Sequence, residues 1–222
     1  MDPSVKAVIF DMDGLLIDTE THAKIAWQRA AEQIGESIDD ETMLSLVGRH
    51  IDDCLTSLSD LMGKDLRTLG FMDQVDDIYF SNFMRHGIDV KYGAEFLLKA
   101  LQEKQVPKAI ATSSEKEIAP RKLALAGLIH YFDLVVSGCE VKQSKPAPDI
   151  FLLTAERLEL DPSECLVLED SYNGIRAATA AGMHAIMIPD LLPPTEEMED
   201  LTVAIYSDLE KATPHIFGCL GH

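Results

Sequence analysis

Basic residues are scarce in this chain: 19 lysines and arginines stand against 38 aspartates and glutamates, a formal charge of −19 over 222 residues. A nucleic-acid or anionic-membrane partner is disfavoured on that ground, because both are held by clustered Lys and Arg. A small phosphorylated ligand remains compatible, since a few local cations and one metal can hold a small anion inside an acidic protein. Cysteine is sparse as well. Cys54, Cys139, Cys165 and Cys219 are widely scattered, with no CxxC pair and no Cys/His metal spacing, so neither a disulfide framework nor a zinc site is supported. No apolar run approaches the roughly 20 residues that a membrane-spanning helix needs. The stretch MDPSVKAVIFD has an acid before its one lysine and no small-residue cleavage site, so no signal peptide is expected and the cytoplasm is the default location.

What is present is an alternation of two textures. Short apolar, β-branched runs recur: AVIF (7–10), KAIAT (108–112), DLVVS (133–137), CLVLE (165–169), AIMI (185–188) and VAIY (203–206). Nearly continuous apolar character over so few residues suits strands buried on both faces. Helical patterns lie between most of them, at 93–104, 115–127 and 171–182, the last two ending on glycine stops. Strands alternating with helices imply βαβ units, so the expected fold is α/β, a Rossmann-like doubly wound parallel sheet. One region breaks the alternation. Residues 21–35, 39–47, 51–63 and 73–85 read as successive helices, with Trp27, Phe80 and Phe83 as core of that block. The expected domains are therefore 1–18 with 88–222 as the α/β core, and 19–87 as an all-helical insert after the first strand. LLPPTEEMED (191–200) reads as an acidic loop.

In open α/β sheets ligands bind beyond the carboxyl ends of the strands. The first run ends in Asp11 and Asp13, followed by Gly14; the KAIAT run ends in Thr112, followed by Ser113 and Ser114. The CLVLE run ends in Glu169 and Asp170, and a loop after the DLVVS run holds Lys145. Four segments thus bring acids, a hydroxyl and a lysine to one sheet edge. Any one of them alone is an ordinary cap or turn residue. Together they fit a phosphate ester: close carboxylates bind a hard divalent cation such as Mg²⁺, a carboxylate can attack phosphorus, and a second acid can protonate the leaving oxygen. Thr112 and backbone N–H groups can hold phosphoryl oxygens, with Lys145 neutralising charge. Gly14 permits close backbone approach at the turn.

DMDGLLIDT (11–19), Thr112, SKPAPD (144–149) and LEDSYNGIRAATAAGM (168–183), in this order and spacing, resemble the haloacid dehalogenase superfamily. The helical insert resembles the small helical cap of its β-phosphoglucomutase-like phosphatase branch. The resemblance implies that Asp11 is the nucleophile and a ligand of Mg²⁺, and that Asp13 is the general acid/base with its backbone carbonyl on the metal. It further implies that Gly14, Thr112 and Ser113 bind the phosphoryl group and that Lys145 steadies nucleophile and phosphate. Asp170 would be a metal ligand, and Glu169 a direct or water-mediated one. It also implies a cap that opens for exchange and closes for chemistry.

Within that superfamily, dehalogenases lack the acid two residues after the nucleophile, and Asp13 is present here. Phosphonate-cleaving relatives use a cap lysine; Lys24 has no supporting motif for that role. Sugar phosphomutases carry a cap histidine at the position of Ala23, and His22 beside it is turned by about 100° along a helix. The expectation is a Mg²⁺-dependent phosphatase of a small sugar, polyol or nucleoside phosphate, acting through an aspartyl-phosphate, and monomeric. A sugar phosphomutase and a non-catalytic phosphometabolite-binding protein are the alternatives. Glu20, Arg49 and His50 are the candidate substrate contacts from the insert.

Overall fold

The computed structural model describes residues 4–46 and 51–220. The chain divides into two compact units, one formed by residues 1–18 and 89–222 and the other by residues 19–88.

The first unit is built on a six-stranded, all-parallel sheet. The strands are β1 (Ala7–Phe10), β2 (Lys108–Thr112), β3 (Leu134–Ser137), β4 (Cys165–Glu169), β5 (His184–Met187) and β6 (Ala204–Ile205), in the order β3-β2-β1-β4-β5-β6. The order reverses at β1, which pairs with both β2 and β4. Such a switch point opens a crevice at the carboxyl ends of the central strands. All residues of β1 and β4 are buried, as two-sided burial requires of a short apolar run. One sheet face packs Ile9, Ala111, Val136 and Val167 against Ile150, Phe151, Ile175 and Ala178.

The helices of this unit are α5 (Ala94–Glu103), α6 (Ala119–Leu125), α7 (Asp149–Arg157), α8 (Tyr172–Ala180), α9 (Glu196–Leu201) and α10 (Leu209–Cys219). The acidic segment 191–200 is not wholly loop, as the sequence suggested, since α9 begins within it. Thr195 caps it by accepting a hydrogen bond from the Met198 N–H, Glu196 and Glu197 sit at the positive end of the helix dipole, and Met198 is fully buried. Arg176 of α8 donates to Glu197 at 2.6–2.7 Å and to Asn173 Oδ1 at 3.2 Å, a structural tie between α8 and α9.

The second unit is helical: α1 (Glu20–Gln33), α2 (Asp40–Leu46), α3 (Ile51–Met62) and α4 (Phe71–His86). Its core joins Ala26, Ala30, Leu55, Leu58, Phe71 and Val75, with Trp27 packed edge-on against Phe71 at 5.7 Å. Phe80 corrects the expectation that it belongs to this core, being 40% exposed and edge-on to Tyr79. The side chain of Phe83 lies outside the described residues. Lys24 pairs with Asp40 at 2.8 Å on the surface.

Candidate active site

The carboxyl ends of β1, β2 and β4 bring together most of the polar residues that the sequence singles out. Asp11 follows β1 directly, is 7% exposed, and its Oδ1 accepts from Lys145 Nζ at 2.5 Å. The same ammonium donates to Glu169 Oε1 at 2.7 Å and to the Ala111 carbonyl at 3.1 Å. Glu169, at the end of β4, is fully buried, and its Oε2 accepts from the Ser171 N–H at 2.7 Å and the Ser171 hydroxyl at 2.9 Å. Ser171 in turn caps α8 by accepting from the Gly174 N–H at 3.0 Å. One buried lysine therefore knits three strand ends, β1, β2 and β4.

Asp13 is partnered separately. Its Oδ1 accepts from Lys122 Nζ at 2.7 Å; its Oδ2 accepts from the Ser114 hydroxyl at 2.8 Å and the Thr112 hydroxyl at 3.3 Å. Thr112 also accepts from the Ser114 N–H at 3.1 Å. Ser113 lies beside them, exposed. Sequence reasoning missed Ser114 and Lys122 as site residues. The available signal was a lysine on an otherwise apolar stripe: α6 buries Ala119, Lys122 and Leu123, at i, i+3 and i+4.

Gly14 is buried, with φ +85, which a residue bearing a Cβ rarely adopts. A Cβ there would stand 2.5 Å from Asp170 Oδ2 and 3.4 Å from Asp190 Oδ2, so glycine is what lets the turn lie against these acids. Asp190 accepts from Lys91 Nζ at 2.5 Å through Oδ1, while its buried Oδ2 has no hydrogen-bond partner among the described residues. Of the remaining candidates, Glu20 is the first residue of α1 in the helical unit, and Arg49 and His50 lie outside the described residues.

The electrostatics follow from crowding carboxylates around few cations. Burial pushes the Asp11 carboxyl up to about 7; the Lys145 ammonium opposes this, and the neighbouring Glu169 and Asp13 charges add to it. Asp170 is raised well above the usual carboxylate range by burial, then by the charges of Glu169 and Asp11. Burial pulls the Lys145 ammonium down, but Asp11 and Glu169 more than offset it and hold it above the ordinary lysine value. The crevice is short of positive charge, and its donors are all oxygens, the set a hard divalent cation prefers. Among the described residues no three Asp, Glu, His or Cys side chains form a ready-made metal cage. Mg²⁺ does not require one, as it keeps waters and takes one or two carboxylates. The donor set fits that ion.

Gly174→Ala tests how firmly this framework is set. In an exposed helix the exchange stabilises by about 1 kcal/mol. Here the new Cβ would fall 1.7 Å from Glu169 Oε1, on a side chain already held by Lys145 and Ser171. The expected outcome is a loss of roughly 2–4 kcal/mol, read as a thermal midpoint lower by about 2–4 °C per kcal/mol.

The profile of the family described as haloacid dehalogenase-like hydrolase matches residues 8–188. A fructose-1-phosphate phosphatase of Escherichia coli is 36% identical over 184 residues, covering 81% of this chain and 94% of its own. A beta-phosphoglucomutase of Bacillus subtilis is 31% identical over 211 residues, covering 92% of each chain. Among solved structures, a HAD family hydrolase of Deinococcus radiodurans with bound phosphate and sodium superposes with a TM-score of 0.82 at 25% identity, over 99% of both chains.

Proposed function

The chain belongs to the haloacid dehalogenase-like hydrolase family and is a phosphoric monoester hydrolase, and on that footing we propose that it dephosphorylates a small sugar, polyol or nucleoside phosphate through an aspartyl-phosphate on Asp11. The observation that carries this reading is the separate partnering of the two acids at the end of β1. Asp11 sits on Lys145, while Asp13 sits on Lys122, Ser114 and Thr112. Two neighbouring carboxylates in different settings suit two different roles.

Asp11 attacks phosphorus as the bond to the leaving oxygen breaks, and Asp13 gives that oxygen its proton. Asp13 then takes a proton from the water that attacks the phosphoryl group, Asp11 departs, and the products are an alcohol and inorganic phosphate. Lys145 fixes Asp11 and offsets charge beside it, while Thr112 and Ser113 receive phosphoryl oxygens at the end of β2. Asp11, Asp170 and the Asp13 carbonyl would hold Mg²⁺, which when bound supplies positive charge for the phosphoryl oxygens. Glu169 has both oxygens engaged and no exposed surface, which supports a water-mediated place at the metal rather than a direct one.

Relatives of both kinds, phosphatase and mutase, match this chain. Ala23, where the mutases carry a histidine, supports the hydrolase reading. The test is a phosphate-release screen over phosphorylated metabolites with Mg²⁺ and with chelator. Release that the chelator abolishes supports the reading; isomerised sugar phosphate without release would make the protein a mutase.

The raised Asp11 carboxyl gives the metal a pH signature with two signs. In the metal-free protein, an acid lifted from 3.8 to about 7 by folding binds more protons folded than unfolded across that window. Stability from this group is therefore lost as the pH rises through it. Mg²⁺ needs the ionised form, so its stabilisation is lost as the pH falls through 7. The expected result is a Mg²⁺-induced rise in thermal midpoint that is clearly larger at about pH 8 than at about pH 5.5. Equal shifts at both would count against Asp11 as a ligand.

A further inference from the structure

Lys122 is 7% exposed and stands on the apolar stripe of α6 between Ala119 and Leu123. Burying an ammonium there costs more than burying a leucine would, and a buried ion pair seldom repays that cost in stability. What such a pair does supply is geometry. Lys122 Nζ reaches Asp13 Oδ1 at 2.7 Å and the Ser114 hydroxyl at 3.2 Å, so one end of the Asp13 carboxylate is fixed by a group that can only donate. The other end, Oδ2, faces two hydroxyls, Ser114 at 2.8 Å and Thr112 at 3.3 Å. Hydroxyls turn from donating to accepting as a proton arrives, and an ammonium cannot.

We propose that Lys122 is a positioning residue for proton transfer: it anchors Asp13 Oδ1, so that Oδ2 is the oxygen carrying the proton to the leaving group and back from water. The inference rests on the phosphatase reading above and adds to it a second lysine with its own acid. Lys145 serves Asp11, the atom that attacks; Lys122 serves Asp13, the atom that donates. In the first half-reaction the Oδ2–H bond breaks as the leaving oxygen gains the proton and its bond to phosphorus breaks. In the second, Oδ2 regains a proton from the attacking water. Ser114 and Thr112 reorient at each change, while Lys122 stays on Oδ1.

The test separates positioning from mere support of the fold by the demand of the leaving group. p-Nitrophenolate departs without a proton; an alkoxide does not. Single-turnover cleavage by Lys122→Met is to be compared with wild type on p-nitrophenyl phosphate and on the alkyl phosphate that releases phosphate fastest in the screen. The expected fall is about 30–100-fold on the alkyl ester and about 3-fold on the aryl ester, with KM changed by less than about 2-fold. Lys122→Arg, which keeps the charge and a donor, should show the same selectivity at about 5-fold on the alkyl ester, and it decides the matter if the Met protein does not fold. Equal losses on both esters, or none on either, would overturn the inference. Asp11→Asn in the same assay keeps the two levels apart. Wild-type rates in that variant would sink the aspartyl-phosphate route through Asp11, whereas an inactive Asp11→Asn with an unselective Lys122→Met sinks only the role of Lys122.

Discussion

Asp11→Asn is expected to lower phosphate release by at least about 10³-fold, because the amide neither attacks phosphorus nor binds a cation as a carboxylate does. The same exchange should leave the fold intact. Asp11 is buried among like charges, and its carboxyl is held up to about 7 by that burial. Above that pH the wild-type group is ionised at a cost, and a neutral isostere removes the cost. The metal-free Asp11→Asn protein should therefore melt at or above the wild-type temperature at about pH 8. Lost activity with retained or raised stability is the mark of a residue kept for chemistry. A variant that releases phosphate normally, or one that loses activity only because it unfolds, would remove Asp11 from the role given to it. Phosphate release and thermal unfolding, measured on the same preparation, decide between these outcomes.

Lys145→Met is expected to do the reverse to stability while also removing activity. Its ammonium is the shared partner of Asp11 Oδ1 and Glu169 Oε1, and it reaches the Ala111 carbonyl as well. Taking it away leaves two buried carboxylates facing each other. Breaking a buried pair from one side costs about 3–5 kcal/mol. In a chain of this size that lowers the thermal midpoint of the metal-free protein by roughly 6–20 °C. Activity should fall by about 10²-fold or more, in line with loss of a positioned charge at a phosphoryl site. Mg²⁺ should recover part of the stability, since it supplies charge to the same carboxylates, but little of the activity. A midpoint within 2 °C of wild type, on a scale where about 1 kcal/mol is already 2–4 °C, would show that Lys145 is not holding these groups.

The edge of the sheet was readable because β1, β2 and β4 are buried on both faces, so their residues form unbroken apolar runs that end where the polar groups begin. That break points at Asp11, Thr112 and Glu169 without any knowledge of neighbours. Lys122 was not readable in the same way. Periodicity treats a lysine as solvated, and only the three-dimensional approach of α6 to the end of β1 turns it inward to Asp13. Ser114 was passed over for a related reason: three hydroxyls in TSS look equivalent in sequence, and the turn after β2 brings Thr112 and Ser114 to Asp13 while Ser113 stays exposed beside them. The α9 helix was hidden by its acids, which resemble a loop until Thr195 is seen as its cap and Met198 as its anchor. Phe80 misled in the other direction, since helical spacing alone does not say which of two apolar faces is covered.

The phosphatase reading requires the phosphoryl group to pass through Asp11 on its way to water. It is tested most directly by rapid acid quench of the Mg²⁺-loaded protein with its fastest substrate, followed by mass mapping of peptides. The expected result is a phosphoryl group on the peptide containing Asp11, absent in Asp11→Asn, decaying at the rate at which inorganic phosphate appears. Phosphate release with no phosphorylated Asp11 at any time, or a phosphoryl group that returns to a second hydroxyl of the sugar instead of to water, would contradict it.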